Sequence, residues 1–499
     1  MLVLWIAPGF ARAAEGFGEP LAASVFTTAL AFVAPRTLDI ESIPQLTIWG
    51  LHGLTAIDPA LTIELRERDV RLNLSGKTVF TAPVPKDPTA EAWGTLAAQI
   101  SAAADEQSDL VHRSGTGGVI QSFFDELFNH LDPYSRYTPP GAATTDRERR
   151  SGEAGLGLTV MRQGNQIVVR AVATDGPADD AGLEPGDRIV SVDGRVLRGA
   201  DVTAVAALLA GPEDSTVKLT WRSRDGRMHT AAIARGLVPP QTVMAERLGD
   251  LLVIRITGFS VDTDQQFSDA LDAGFEGHRV RGIILDLRGN RGGLLRQAVT
   301  SVDAVTTGGI VATTAGRHPD SNHTFAGGTG DDQAHGRPIV VLVDGRTASA
   351  AEIMAAALED SGRAVVVGSV TLGKGLVQTI TPLPDGGELF VTWSRVLAPL
   401  GWPLQGLGIM PQICTSLGED SLKGQLADLL QGKLTMADAL ARHNAARAPL
   451  PVAQVVEMRN ACPAAEGRDE DVEAAKFLID HPLAYAAALT STGSAAATP

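Results

Sequence analysis

The sequence predicts a multidomain α/β protein, in which a βα core follows a small β-rich domain and helical regions flank both. Three observations predict it. From Leu251 onward, short apolar runs alternate with stretches of helical spacing, the rhythm of a mostly parallel sheet covered by helices. Between Gly155 and Leu237 the pattern changes to short strands and tight turns, in a unit of about the smallest size that folds alone. From Glu91 to Leu131, and again after Ile413, apolar residues recur at helical spacing.

The 499 residues exceed what one compact core holds, and about 150 residues per domain gives about three domains. Hydrophobic residues make up 44% and charged residues 20%, which excludes global disorder and a polytopic membrane protein. The net charge of −16 repels phosphate backbones, so nucleic acid is not an expected partner.

Taken in order, residues 1–14 (MLVLWIAPGFARAA) join an apolar run to Ala11-Arg12-Ala13, the small-x-small shape of a signal-peptidase site. They lack a charged n-region, so the expectation is a signal-peptide remnant, with an apolar segment packed on the body as the alternative. Residues 15–150 form an N-terminal region. In it, Pro20 to Pro35 is too short to span a bilayer and reads as a buried helix. Residues 62–80 alternate as a two-stranded β element, and the helices from Glu91 stop at Asp132-Pro133. The charged run at 146–150 (DRERR) separates this region from the β-rich unit, 151–237. The βα core occupies 238–415. Residues 416–499 read as helical and end in a disordered tail, TSTGSAAATP.

Several chemistries fall away at once. Neither HExxH nor GxSxG occurs, the ten histidines lack metal-ligand spacing, and Cys414 and Cys462 form no CxxC pair. No metal and no cofactor are expected. The segment GSVTLGKG at 368–375 satisfies GxxxxGK, but Gly375 stands where a phosphate loop needs Ser or Thr, and a β-type run follows in place of a helix.

Lys374 therefore needs another use. Upstream, a buried strand, a turn and an Ala-rich helix begin close to Ser349, whose hydroxyl would lie near the positive end of a helix dipole beside the Ala350 amide. A lone serine there is most often an N-cap, and a lysine in a glycine-rich turn is most often a solvated charge. What changes the weighing is that both follow adjacent strands of a parallel sheet, where loops gather at one edge. Gly292 and Gly293, after the strand ending in DLRGN, add amides unobstructed by a Cβ. Nucleophile, base and oxyanion donors make a constellation for acyl transfer.

These residues resemble the carboxyl-terminal processing peptidase family, or tail-specific proteases, which are PDZ-containing Ser-Lys serine peptidases. DLRGNRGG (286–293), DGRTASAAEI (344–353) and TLGKGLVQ (371–378) carry the likeness, with Ser349 and Lys374 at the family's 25-residue dyad separation. WSRVLAPLGWPLQGLGIMPQI (393–413) is similar to the run that follows in the family, except that Trp402 replaces a polar residue and is expected to alter a substrate subsite. Residues 151–237 resemble the family's PDZ domain.

The resemblance implies a crotonase/Clp-protease-like core and a catalytic Ser349 with Lys374 as base. Gln378 would position the lysine, and Ala350 with Gly292 or Gly293 would form the oxyanion hole. Gly155, Leu156, Gly157 and Leu158 would make a loop that binds a substrate's C-terminal carboxylate. An exported serine endopeptidase acting on protein tails follows; a catalytically inactive PDZ adaptor is the alternative. Protein or peptide substrates are the expected partners, with no membrane span in the mature chain, and the resemblance adds a homodimer through the helical flanks and an activator protein. Burial of Lys374 among Leu372, Leu376 and Val377, without a carboxylate partner, is expected to lower its pKa. In a periplasmic or secreted protein Cys414 and Cys462 are candidates for one disulfide, against two unrelated buried thiols.

Overall fold

The computed structural model describes residues 17–328 and 330–493; the expected signal-peptide remnant lies outside the described residues. The chain forms two compact units. The first comprises residues up to Thr144 together with Ala315–Asn322 and Leu376–Arg395, and the second comprises Thr145–Thr314, His323–Gly375 and the chain from Val396 onward.

In the first unit, helices Glu19–Val33, Ala90–Gln107 and Asp109–Asn129 bury Phe26, Trp93, Phe123 and Phe124 in one apolar core. Thr89 and Ser108 accept N-terminal amides of the second and third helices (3.3 Å each), which fixes where each begins. The expected two-stranded element is an antiparallel sheet of three strands, Leu61–Leu65, Asp69–Leu74 and Lys77–Pro83. Its third strand was hidden because Pro83 and Pro85 read as a linker. Residues 376–395, within the stretch expected as core, form the hairpin of Leu376–Pro382 and Glu388–Leu397 and group with this first unit, where the second strand also pairs with Arg136–Thr138.

The second unit holds two larger sheets. One is antiparallel, with neighbours in the order Met228–Ala234, Thr216–Arg222, Arg188–Val192, Gln166–Val172 and Leu158–Gln163, closed over an apolar core by helix Val202–Leu209. Leu158–Gln163 is an edge strand. The other sheet runs Val243–Leu248, Leu251–Ile256, Gly282–Asp286, Ile339–Val343, Ala364–Gly368, Ile413–Cys414; every pair after the first is parallel. The three central strands are buried along their whole length, as unbroken apolar runs in a parallel sheet must be.

The charged run at 146–150 lies within helix Pro140–Ser151, and the boundary between the two units falls just before it, after Thr144. The first four residues of the tail expected from Thr490 lie in helix Pro482–Gly493, and the rest lies outside the described residues. Among the described residues, no helix is long and apolar enough to cross a membrane.

Candidate active site

Register assembles the site. Asp286 pairs with Leu342, and Val343 with Gly368, so three strands end side by side and the loops 287–294, 344–349 and 369–375 leave from one edge. Buried polar side chains then join the loops. Asp344 takes the amides of Gly289, Arg346 and Thr347 on Oδ1 (2.9–3.0 Å), and the Thr347 hydroxyl donates to Leu287 O (3.0 Å). Asn290 donates to Ile256 O (2.9 Å), accepts from Gly292 N–H (2.8 Å), and offers its own carbonyl to Ala348 N–H (2.9 Å).

Ser349 stands at the N-cap of helix Ala350–Asp360, but with φ +58° and ψ −121°. An N-cap serine ordinarily adopts the extended region, and a non-glycine residue at this φ costs about 1–3 kcal/mol. The bland capping role does not require that strain. Gly292 lies directly against it: a Cβ there would sit 2.7 Å from Ser349 Cβ and 2.8 Å from both Ala348 O and Ala350 N, and its φ of +90° also excludes ordinary side chains. Gly293 is equally confined, since a Cβ would lie 2.0 Å from Phe259 O. Gly292 N–H is already given to Asn290, whereas the amides of Gly293 and Ala350 have no acceptor among the described residues.

The residue that joins the two halves is one that sequence reasoning missed. Glu352 is fully buried, 0% exposed. Its Oε2 accepts the main-chain N–H of both Ser349 (2.7 Å) and Lys374 (2.9 Å), and its Oε1 accepts Gly373 N–H (2.6 Å) and the Thr371 hydroxyl. The nucleophile loop and the lysine loop thus meet on a single carboxylate. Burial pushes the Glu352 pKa up, while the four hydrogen bonds pull it down. A signal was available: Ser349-x-x-Glu352 has the spacing of a capping box.

Other expected positions differ in detail. The Lys374 side chain is half-buried and Leu376 is buried, but Leu372 is 47% exposed and does not help to enclose the lysine. The Leu372 N–H is held by Thr347 O (3.0 Å) and neighbouring Thr371 is buried against Glu352, which leaves the Leu372 side chain directed outward. Glu352 holds the lysine turn through its main-chain N–H groups. Gln378 lies in the first unit, where its Nε2 donates to Leu376 O (3.0 Å) and Thr392 Oγ1 (3.1 Å). Trp402 is 0% exposed; its indole N–H donates to Asp360 (3.0 Å) and its ring packs on His443, so it is core and lines no subsite.

In the antiparallel domain, Leu156 O and Gly157 O accept the amides of Ala178 (2.9 Å) and Ala173 (2.8 Å). Since C=O and N–H of one trans peptide point in opposite directions, the Gly157 and Leu158 amides are directed away from those acceptors. Gly155 instead pairs with Gly236 in a short two-stranded ladder. Cys414 and Cys462 are both buried and are joined by a disulfide.

Residues 250–415 match peptidase family S41 and residues 168–223 match a PDZ domain. A carboxy-terminal-processing protease of Bartonella bacilliformis is 32% identical over 329 residues, which cover 62% of this chain and 75% of the relative. The carboxy-terminal processing protease CtpA of Bacillus subtilis is 34% identical over 314 residues, covering 62% and 67%. A solved photosystem II D1 C-terminal processing protease is 26% identical and aligns over 76% of this chain and 98% of its own, with a TM-score of 0.37. By class, the chain is a serine-type peptidase carrying a PDZ domain. It belongs to the carboxy-terminal-processing protease family.

Proposed function

We propose that the chain is an exported serine endopeptidase that cleaves protein substrates near their C-terminal tails through a Ser349–Lys374 dyad on a crotonase/Clp-type core. The observation that carries this reading is the convergence of both main chains on Glu352, beside a serine held at positive φ. In the proposed reaction Ser349 Oγ attacks the scissile carbonyl and Lys374 Nζ takes the hydroxyl proton. The oxyanion is met by the N–H groups of Ala350 and Gly293, the two left without an acceptor among the described residues. Lys374 returns the proton to the leaving amine, and water, activated by the same lysine, then releases the acyl group. Gln378 keeps its proposed role of positioning the lysine on the motif spacing alone, four residues after Lys374. Export is supported by the buried disulfide, a bond that persists in oxidising compartments.

Gly292→Ala is expected to lower kcat by about 10²-fold or more, because its Cβ would crowd Ser349 and the Ala350 donor. Steady-state kinetics check this, and a kcat near wild type contradicts the assigned oxyanion geometry. For the PDZ domain, we assign the substrate carboxylate to the amides of the Gly157–Leu158 stretch and the peptide strand to the edge Leu158–Gln163. Amidating the C-terminus of a peptide ligand is then expected to weaken binding about tenfold or more, as each lost charge-assisted hydrogen bond is worth about 1.5–3 kcal/mol. Equal affinity of the free and amidated peptides by fluorescence anisotropy would count against carboxylate capture.

A further inference from the structure

The match to the peptidase family ends at residue 415, yet all three loops of the candidate site are bonded to a segment far beyond it. Gly345, in the turn that leads to Ser349, donates its N–H to Ala465 O (2.7 Å), and Gly467 N–H reaches Asp344 Oδ2 (3.3 Å). Ser369, in the turn that leads to Lys374, donates its hydroxyl to Ala465 O (3.0 Å) and accepts from Ala465 N–H (3.0 Å). Arg288, in the loop that carries Gly292, donates to Arg468 O (2.6 Å) and to Asp471 Oδ2 (3.0 Å). Asp471 is 1% exposed, and its other oxygen accepts the Thr415 hydroxyl (2.7 Å).

The front of this segment is anchored as well. Cys462 is bonded to Cys414 in the strand that closes the sheet beside Ala364–Gly368, and its carbonyl accepts Val370 N–H (3.4 Å). A single peptide carbonyl, Ala465 O, therefore fixes the approach to both Ser349 and Lys374. In acyl transfer a misplacement of about 1 Å costs about 10²-fold in rate, so the position of such a shared anchor bears on catalysis.

We propose that residues 462–471, pinned by the Cys414–Cys462 disulfide, are a positioning element for the catalytic loops: they touch no substrate and act by holding the serine and lysine turns in mutual register. The proposal rests on the peptidase reading given above. It differs from a merely stabilising role in that loosening the segment slows catalysis and leaves substrate binding intact.

The test uses the full chain in three forms: wild type, Ser369→Ala, which keeps the disulfide, and the double variant Cys414→Ala/Cys462→Ala. Cleavage kinetics on a peptide with a free C-terminus are measured beside hydrogen exchange of the backbone. The expected result is a kcat reduced about tenfold or more in both variants, with KM within about twofold of wild type. Exchange should be faster in peptides covering 344–349 and 369–374 and unchanged in strand Ile339–Val343. Unaltered kcat and exchange in Ser369→Ala, in a preparation whose wild type cleaves, overturns the proposal even if the double variant fails to fold. A wild type that cleaves nothing contradicts the peptidase reading instead, and the exchange rates then decide the positioning claim alone.

Discussion

Lys374→Ala is expected to reduce cleavage by at least about 10³-fold. The tie between the loops survives this change, because the group of residue 374 that binds Glu352 is its main-chain N–H, which alanine retains. The activity expectation follows from the chemistry: without a base, a serine hydroxyl is a poor nucleophile at neutral pH. Lys374→Arg sharpens the test. Arginine keeps the positive charge but does not deprotonate in a protein, so it cannot accept the Ser349 proton and should be as inactive as alanine. Substantial cleavage by the arginine variant would assign residue 374 an electrostatic role and remove the base from the mechanism.

Glu352→Ala is expected to be nearly as damaging to activity and far more damaging to stability. Removing the carboxylate strands four donors, the amides of Ser349, Gly373 and Lys374 and the Thr371 hydroxyl, around a position that is 0% exposed. Each stranded buried donor costs about 1–3 kcal/mol, so a loss on the order of 4 kcal/mol or more is expected in denaturant unfolding. Glu352→Gln keeps one acceptor oxygen but turns an NH2 towards two donors. Its stability should fall less, with kcat still reduced because two of the four bonds that align the loops are lost. If Glu352→Gln cleaved at the wild-type rate, the shared carboxylate would be a structural buttress with no part in aligning Ser349 and Lys374.

Much of this site could be read from the chain because it is local. Asp286, Val343 and Gly368 each end an apolar strand, and the residues after them carry the glycines, serine and lysine in the order that a parallel sheet brings together. What stayed hidden depends on contacts that no periodicity encodes. Glu352 announces its cap spacing to Ser349, but its second oxygen serves Gly373 and Thr371, about twenty positions away. Asn290 follows an i to i+2 turn pattern with Gly292, yet its link to Ala348 needs two strands in register. Leu372 looked like a residue that encloses the lysine; alternation along a loop pinned at Thr371 turned it outward. The placement of Leu376–Arg395 with the first unit was equally illegible, since a β hairpin of this kind carries no mark of which core it joins.

Ser349 as the nucleophile of a tail-directed endopeptidase is tested by a digest of a folded test protein bearing an unstructured C-terminal tail, by wild type and by Ser349→Ala, read by mass spectrometry. Products shortened from the C-terminus are expected to accumulate with wild type and to be absent with Ser349→Ala, the latter folding as wild type does by circular dichroism. Equal products from both proteins, or none from a folded wild type, would contradict it.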